Sequence, residues 1–430
     1  MPKKIWKIHD YISQSFYINH PNLKAGQKYG IDLIIFIIGN GILNKNMLIT
    51  GNYGLGKTTT AQAVSSLLFS LPLEVIRESV IYGHPHLTEE KIVGRLDFSR
   101  LNLEEKVIFS LTSQIPSIKI IDEINRIPEG TQNMLLNSVE SGDFIYLNDS
   151  ISGEKYPFVA TANYKDEGNN DIMPPLLDRF DISIEVIYPI FITEALGNSI
   201  AITNKKRLSN RELSARIKNL LLNKDKLYSK KIEGIKHLKE EFSQKNREII
   251  FNDDEREEIK SRILSLEFSE DANNLLHSFF DYLNSVLQIK GSQRSNHNQD
   301  QLFSKITNNY SVRSILNSAI FFSKYFSFIS EEDKVSTKSV LTVLPYILSH
   351  RTTFRETPSS EDDYSSNSSH FTGVKKLVND YYNKIFIKHI DLIRDLYLSI
   401  KSGDPIKFIE KYEGSDHPLY KRAEKIFNGL

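Results

Sequence analysis

Apolar residues change their period along this chain, and the changes mark its elements. Residues 31–43 (IDLIIFIIGNGIL) are almost continuously apolar, and Met47, Leu48 and Ile49 then form a short strand-like run. The first stretch contains Asp32 and Asn40 and falls short of the roughly 20 residues of a spanning helix, so it predicts a buried helix. Within 59–69, Ala61, Val64, Leu67 and Leu68 recur at helical spacing; LEVIRESV (73–80) has the β-branched content of a strand. A helix is predicted over 103–114. It leads into IKIIDE (118–123), a continuous apolar run ending in two acids, as suits a central parallel strand buried on both faces. A helix over 130–142, an alternating segment over 144–156 with a turn near Asn148 and Asp149, and a strand over 157–163 follow. Strands alternating with helices predict a doubly wound α/β domain.

From about Tyr188 the strand signals fade and Lys, Glu and Leu-rich helical patterns run to about residue 352. The most charged of these, 210–242, intersperses acids among its bases and reads as a solvated amphipathic helix or hairpin. ETPSSEDDYSSNSS (356–369) is a polar linker or loop, and helical spacing returns over 374–400. The expected organisation is a core over 1–188, a helical lid with a charged insertion over 189–352, a linker over 353–373 and a C-terminal helical segment over 374–430.

Composition narrows the function classes. The chain has 430 residues, with Lys plus Arg and Asp plus Glu both totalling 54, so no global charge draws it to nucleic acid or anionic membrane. It has no cysteine, which excludes disulfides, thiolate metal sites and a cysteine nucleophile. The N-terminus MPKKIWKIHDY alternates charged and apolar residues, unlike a signal peptide, and a cytoplasmic location is expected.

The chemistry concentrates in GNYGLGKTT (51–59), placed between the strand-like run and a helix. Gly51, Gly54 and Gly56 let the loop Gly51, Asn52, Tyr53, Gly54, Leu55, Gly56 turn its N–H groups toward phosphate. Lys57 can neutralise phosphate oxygens, and Thr58, followed by Thr59, can hold magnesium at the helix N-terminus. Hydrolysis needs more than a cradle. Asp122 can reach the magnesium shell, through water, and Glu123 is the candidate base. Asn163 ends the next strand, where a parallel sheet would bring its amide to the same γ-phosphate. Arg179 in PPLLDRFD could pair locally with Asp178 or Asp181, or reach a neighbouring subunit's γ-phosphate as an arginine finger. His84 and His86, near Glu89 and Glu90, lack further ligand spacing and read as structural. Arg126 reads equally as a second ring-interface arginine or a salt-bridge partner within the subunit.

Together, GNYGLGKTT, IKIIDEINRIPEG, VATANY, LLDRFD and SVRSILNSA resemble the Walker A, Walker B, sensor 1, arginine-finger and sensor 2 motifs of AAA+ ATPases. GHPHLTEEKIVGRLDF (83–98), DEINRIPEGTQNMLLNSVESGDF (122–144) and LPYILSHR (344–351) are similar to the MoxR family, and the resemblance spans roughly residues 25–352. It implies an AAA+ P-loop core with a parallel sheet, an all-α lid and a C-terminal helical region, with ATP and Mg²⁺ as cofactors. It further implies that Arg313 is the sensor 2 arginine, that the protein forms a ring, usually a hexamer, and that Arg179 acts in trans. It also implies a chaperone-like role on a protein partner, often one with a von Willebrand factor A domain. The segments 80–102 and 144–156 then correspond to the family's inserted elements, whereas 198–258 exceeds its compact lid and 353–430 has no counterpart. The alternatives are a nucleic-acid motor or magnesium-chelatase-like subunit, against which neutral charge weighs for the motor, and a nucleotide-gated scaffold with negligible turnover.

Overall fold

The computed structural model describes residues 2–16, 19–96, 107–146, 149–151, 155–164, 171–187, 207–223, 228–288, 306–308, 311–354 and 370–427. Five short apolar runs form its central sheet: β1 (Met47–Gly51), β2 (Ile81–Tyr82), β3 (Lys119–Asp122), β4 (Phe158–Ala162) and β5 (Ile182–Val186). They pair in parallel in the order β5-β1-β4-β3-β2. Ala162 lies opposite Thr50 and Ala160 opposite Ile121, so the residues that follow β1, β3 and β4 converge on one edge. The helix Asp32–Leu43 is buried along its whole length, as its unbroken apolar pattern predicts. Among the described residues, no helix is long and apolar enough to cross a membrane.

Two local expectations fail. Residues 73–80 are not a strand: Leu73–Glu78 is a helix burying Leu73, Val75 and Ile76, entered through Pro72 at φ −56°. Pro72 stands at ψ +143° as the helix's N-cap, where its missing N–H costs the helix nothing, and β-branched preference is weak enough for packing to override it. The helix expected over 103–114 also fails where the structure describes it. Val107–Phe109 pairs antiparallel with Gly94–Leu96, and only Leu111–Gln114 is helical, capped by Ser110. The alternating segment does form a hairpin, Phe144–Tyr146 with Asp149–Ile151, its turn residues 147–148 lying outside the described residues.

Packing divides the chain into two compact units, one of Met1–Ser265 with Ile329–Glu331, the other of Leu266–Phe328 with Glu332–Leu430. The charged helices Arg211–Leu221, Tyr228–Gln244 and Asp253–Ser265 therefore belong to the sheet's unit. Backbone bonds attach this region to the helix Leu73–Glu78, from Leu73 N to Leu208 O (2.8 Å), and to the helix that follows β1, from Phe251 N to Leu67 O (2.9 Å). Among the described residues, the second unit is helical apart from the hairpin of Ile306–Asn308 with Thr352–Phe354 and a single parallel bridge between Phe268 and Val335. Its core includes an edge-on pair of Phe279 and Tyr381 at 5.0 Å, so the C-terminal segment helps to build it. The polar segment 356–369 lies outside the described residues.

Candidate active site

The loop from Gly51 to Gly56 joins β1 to the helix Lys57–Phe69. Gly56 is the helix's N-cap at φ +73°, a left-handed torsion that a side chain would oppose, and its carbonyl accepts from both Thr60 N (2.9 Å) and Thr60 Oγ1 (2.7 Å). The helix therefore starts sharply, with its first N–H groups toward the loop. Lys57 is buried, and its ammonium donates to Gly51 O (2.7 Å), Asn52 O (2.6 Å) and Asn163 Oδ1 (2.9 Å). Burial lowers its pKa, and the nearby carboxylates of Asp122 and Glu123 oppose that shift. Tyr53 is exposed, while Leu55 and Thr59 are half-buried.

Asp122 ends β3 between two hydroxyls. Thr58 Oγ1 and Thr161 Oγ1 each donate to its Oδ1 at 2.5 Å, and Thr161 Oγ1 also accepts from Glu123 N at 3.0 Å. The Thr58 hydroxyl beside the Asp122 carboxylate is a pair of hard oxygen donors next to a phosphate-type loop, which fits magnesium. Glu123 itself stands at φ +54°, ψ +51°, a torsion that costs a side-chain-bearing residue about 1–2 kcal/mol. Its neighbours fix it there. Arg126 N donates to Glu123 O (2.9 Å), and Gly83 N donates to Asp122 O (2.7 Å). A Cβ on residue 83 would lie 2.1 Å from Glu123 O, so only glycine lets β2 approach this turn.

Asn163 connects the two halves of the site. Its Oδ1 accepts from Lys57 while its Nδ2 donates to Glu123 Oε1 at 2.8 Å, and Arg126 Nε lies 3.2 Å from Glu123 Oε2. The edge of the sheet thus gathers Lys57, Thr58, Asp122, Glu123 and Asn163 into one hydrogen-bonded set.

The remaining candidates lie elsewhere. Arg179, about one-third exposed, places Nε 3.1 Å and a terminal nitrogen 2.9 Å from Glu140 Oε2, with Asp178 at 3.9 Å. Asp181 instead accepts from Asn46 N (2.8 Å) and lies 3.5 Å from Lys45 Nζ. Arg313 is exposed on the first turn of the helix Val312–Ile329, in the second unit. His84 Nδ1 accepts from His86 N (3.1 Å), and no cluster of three metal-ligating side chains occurs among the described residues.

Sequence reasoning missed Thr161, Gly83 and Glu140. Thr161 could have been found from its place two residues before Asn163 on a strand, where period two puts both on one face. Gly83 and Glu140 carry no local signal, since their roles arise from contacts across 40 and 39 residues respectively.

Residues 46–180 match the family model described as an AAA domain of the dynein-related subfamily. The magnesium-chelatase 38 kDa subunit of Rhodobacter capsulatus is 27% identical over 174 residues, 33% of this chain and 49% of that protein. Its counterpart from Cereibacter sphaeroides is 25% identical over 174 residues, 33% of this chain and 51% of that protein. This chain thus spans about half the length of the curated relatives it matches. A solved structure of an ATPase candidate from Cytophaga hutchinsonii shares the fold, with a TM-score of 0.56 over 88% of this chain and 94% of that one, at 16% identity. The strand order and the loop and helix after β1 agree with the match, and residues 46–180 are similar to the AAA domains of the dynein-related subfamily.

Proposed function

We propose that this protein is a MoxR-type ATPase that hydrolyses ATP in a ring, usually a hexamer in AAA+ proteins, to remodel or mature a protein partner, with a von Willebrand factor A domain protein as the first candidate. The observation that carries the reading is the continuous set Lys57–Asn163–Glu123 and Thr58–Asp122–Thr161 at one edge of the sheet. The loop N–H groups and Lys57 bind the phosphates, and Thr58 and Asp122 hold the metal. Magnesium held there by Thr58 and Asp122 would supply positive charge to offset that of the phosphate oxygens. Glu123 accepts a proton as water oxygen bonds to the γ-phosphorus, the bond to the β–γ bridging oxygen breaks, and ADP and phosphate result. Asn163 orients that water, Arg179 completes the site of a neighbouring protomer, and Arg313 contacts nucleotide from the helical lid.

The test compares wild type, Glu123→Gln and Lys57→Ala for ATP binding, turnover and co-purifying proteins. Glu123→Gln is expected to bind ATP, lose turnover and retain a partner that Lys57→Ala does not retain. Full turnover in Glu123→Gln, or a wild type that binds no ATP, would sink the reading. The match to magnesium-chelatase subunits favours a second reading, in which the chain is the AAA+ subunit of a larger metal-inserting assembly. Recovery of that assembly's other subunits, and of no remodelled client, would favour it.

A further inference from the structure

Glu123 has two carboxylate oxygens, and different residues hold them. Asn163 Nδ2 donates to Oε1 at 2.8 Å, while Arg126 Nε lies 3.2 Å from Oε2. The second contact follows from the local backbone. Ile124–Arg126 is a 3₁₀ turn with Glu123 as its N-cap, and Arg126 N closes the turn onto Glu123 O at 2.9 Å, which keeps the two residues side by side. The turn is itself tied down, since Ile124 and Asn125 are buried and Asn125 Nδ2 donates to Asn163 O at 3.2 Å. Arg126 is thus aimed at Glu123 by the same short segment that Asn163 grips from β4.

We infer that Arg126 acts within its own protomer as a positioning residue for Glu123, holding Oε2 while Asn163 holds Oε1. This rests on the reading of Glu123 as the base. An arginine at this place could otherwise serve the neighbouring protomer's nucleotide, and the two roles make opposite demands. A residue serving a neighbour must extend away from its own carboxylate. Arg126 instead lays its Nε against the base three residues before it, 3.2 Å from Oε2. The pair is partly exposed, with side-chain exposures of 41% and 31%, so solvent weakens it as a source of stability. Its consequence is orientational: a carboxylate held at both oxygens cannot rotate about its last torsion, and small misplacements of a base cost up to about 100-fold in rate.

The experiment uses the full chain with Arg126→Ala, Arg126→Lys and Glu123→Gln. Arg126→Ala should lower kcat by about 10–100-fold with the KM for ATP and nucleotide affinity within about twofold, and Arg126→Lys should recover part of the loss. Mixing Arg126→Ala with Glu123→Gln protomers decides between the two roles. Turnover equal to the sum of the separate proteins supports the cis assignment. Turnover above that sum would mean that an intact Arg126 serves the adjacent site, and would overturn it, as would full kcat in Arg126→Ala. Thermal unfolding gives an arm independent of turnover, so that a wild type without ATPase activity defeats only the hydrolysis reading. In cis, the melting shift of the Glu123→Gln, Arg126→Ala double variant should differ from the sum of the single shifts by about 1 °C or more; strict additivity would count against the pair.

Discussion

The two ends of β3 carry charged side chains of opposite character. At the amino end, Lys119 is fully buried, donating to Thr112 O (2.7 Å), Ser113 O (3.3 Å) and Ile115 O, with the rings of Tyr156 and Phe144 at 5.4 and 5.7 Å. At the carboxyl end, Asp122 and Glu123 are half-exposed, and their partners come from the phosphate loop's helix and from β4. Lys119 serves one local need, closing off the carbonyls left over by the short helix Leu111–Gln114. The acids are held by residues far away in sequence and keep a face toward solvent, as a group that must meet a ligand requires. Lys119 and Asp122, three positions apart on one strand, therefore differ in who satisfies them: Lys119 is bonded by its own neighbourhood, whereas Asp122 and the following Glu123 are held by residues distant in sequence.

The largest effect expected separates the ends directly. Glu123→Gln should lower ATP turnover by about 10²–10⁴-fold, the range for loss of a positioned base, with little change in the unfolding midpoint. Lys119→Met should leave turnover per folded molecule within about twofold while destabilising the fold, because three buried carbonyls lose their donor at a cost of about 1–3 kcal/mol. Steady-state turnover and urea unfolding on both variants check this. Loss of turnover in stable, folded Lys119→Met would erase the distinction.

The same lysine gives a pH signature. Burial pulls its pKa from 10.5 down to about 7, so between those values the unfolded chain carries a proton that the folded chain lacks. Stability then rises with pH across that window, and below about pH 7 the whole burial cost is present. The wild type should gain stability relative to Lys119→Met as urea unfolding is repeated from about pH 6.5 to 9.5. A gap independent of pH would mean that the three carbonyls keep the ammonium charged throughout.

Thr161 tests the carboxyl end more finely, because its hydroxyl donates to Asp122 and accepts from Glu123 N at once. Thr161→Val keeps the shape and removes both bonds. Turnover should fall about tenfold, with a stability loss of about 1–3 kcal/mol from the stranded Glu123 N–H, and Thr161→Ser should restore most of each. A Thr161→Val protein with wild-type kcat would show that Glu123 holds its left-handed torsion without β4.

These contrasts also explain how far the sequence could be read. The glycine loop and its helix were legible because Gly51, Gly54, Gly56, Lys57 and Thr58 stand at fixed local spacing, and the placing of Asp122 and Glu123 at a strand end because an apolar strand ending in acids is itself a pattern. The sheet followed from alternation of elements. Residues 73–80 were misread because Leu, Val and Ile at that spacing serve a helix face as well as a strand, and Pro72 decided between them. Val107–Phe109 gave no sign of its partner strand, since Gly94–Leu96 pairs with it across a gap in sequence. Thr161 and Gly83 owe their roles to register and backbone approach, which a single sequence does not display.

Arg179 sits outside the comparison of the two strand ends, and its partner offers the smallest expected effect. Two alternatives were open for it, a local ion pair or a reach to another protomer, and Glu140 at 2.9 Å now supplies a local pair closer than Asp178 at 3.9 Å. Glu140 is mostly exposed, so the pair contributes less than about 1 kcal/mol. Glu140→Ala should therefore shift the unfolding midpoint by no more than a few degrees and leave ATP affinity unchanged. Its turnover separates the alternatives: an arginine that serves a neighbouring site is released by losing Glu140, and turnover in the assembled ring stays level or rises. If Glu140→Ala instead lowers turnover as far as Arg179→Ala does, the ion pair within the protomer is the functional unit, and the finger must be sought at another arginine.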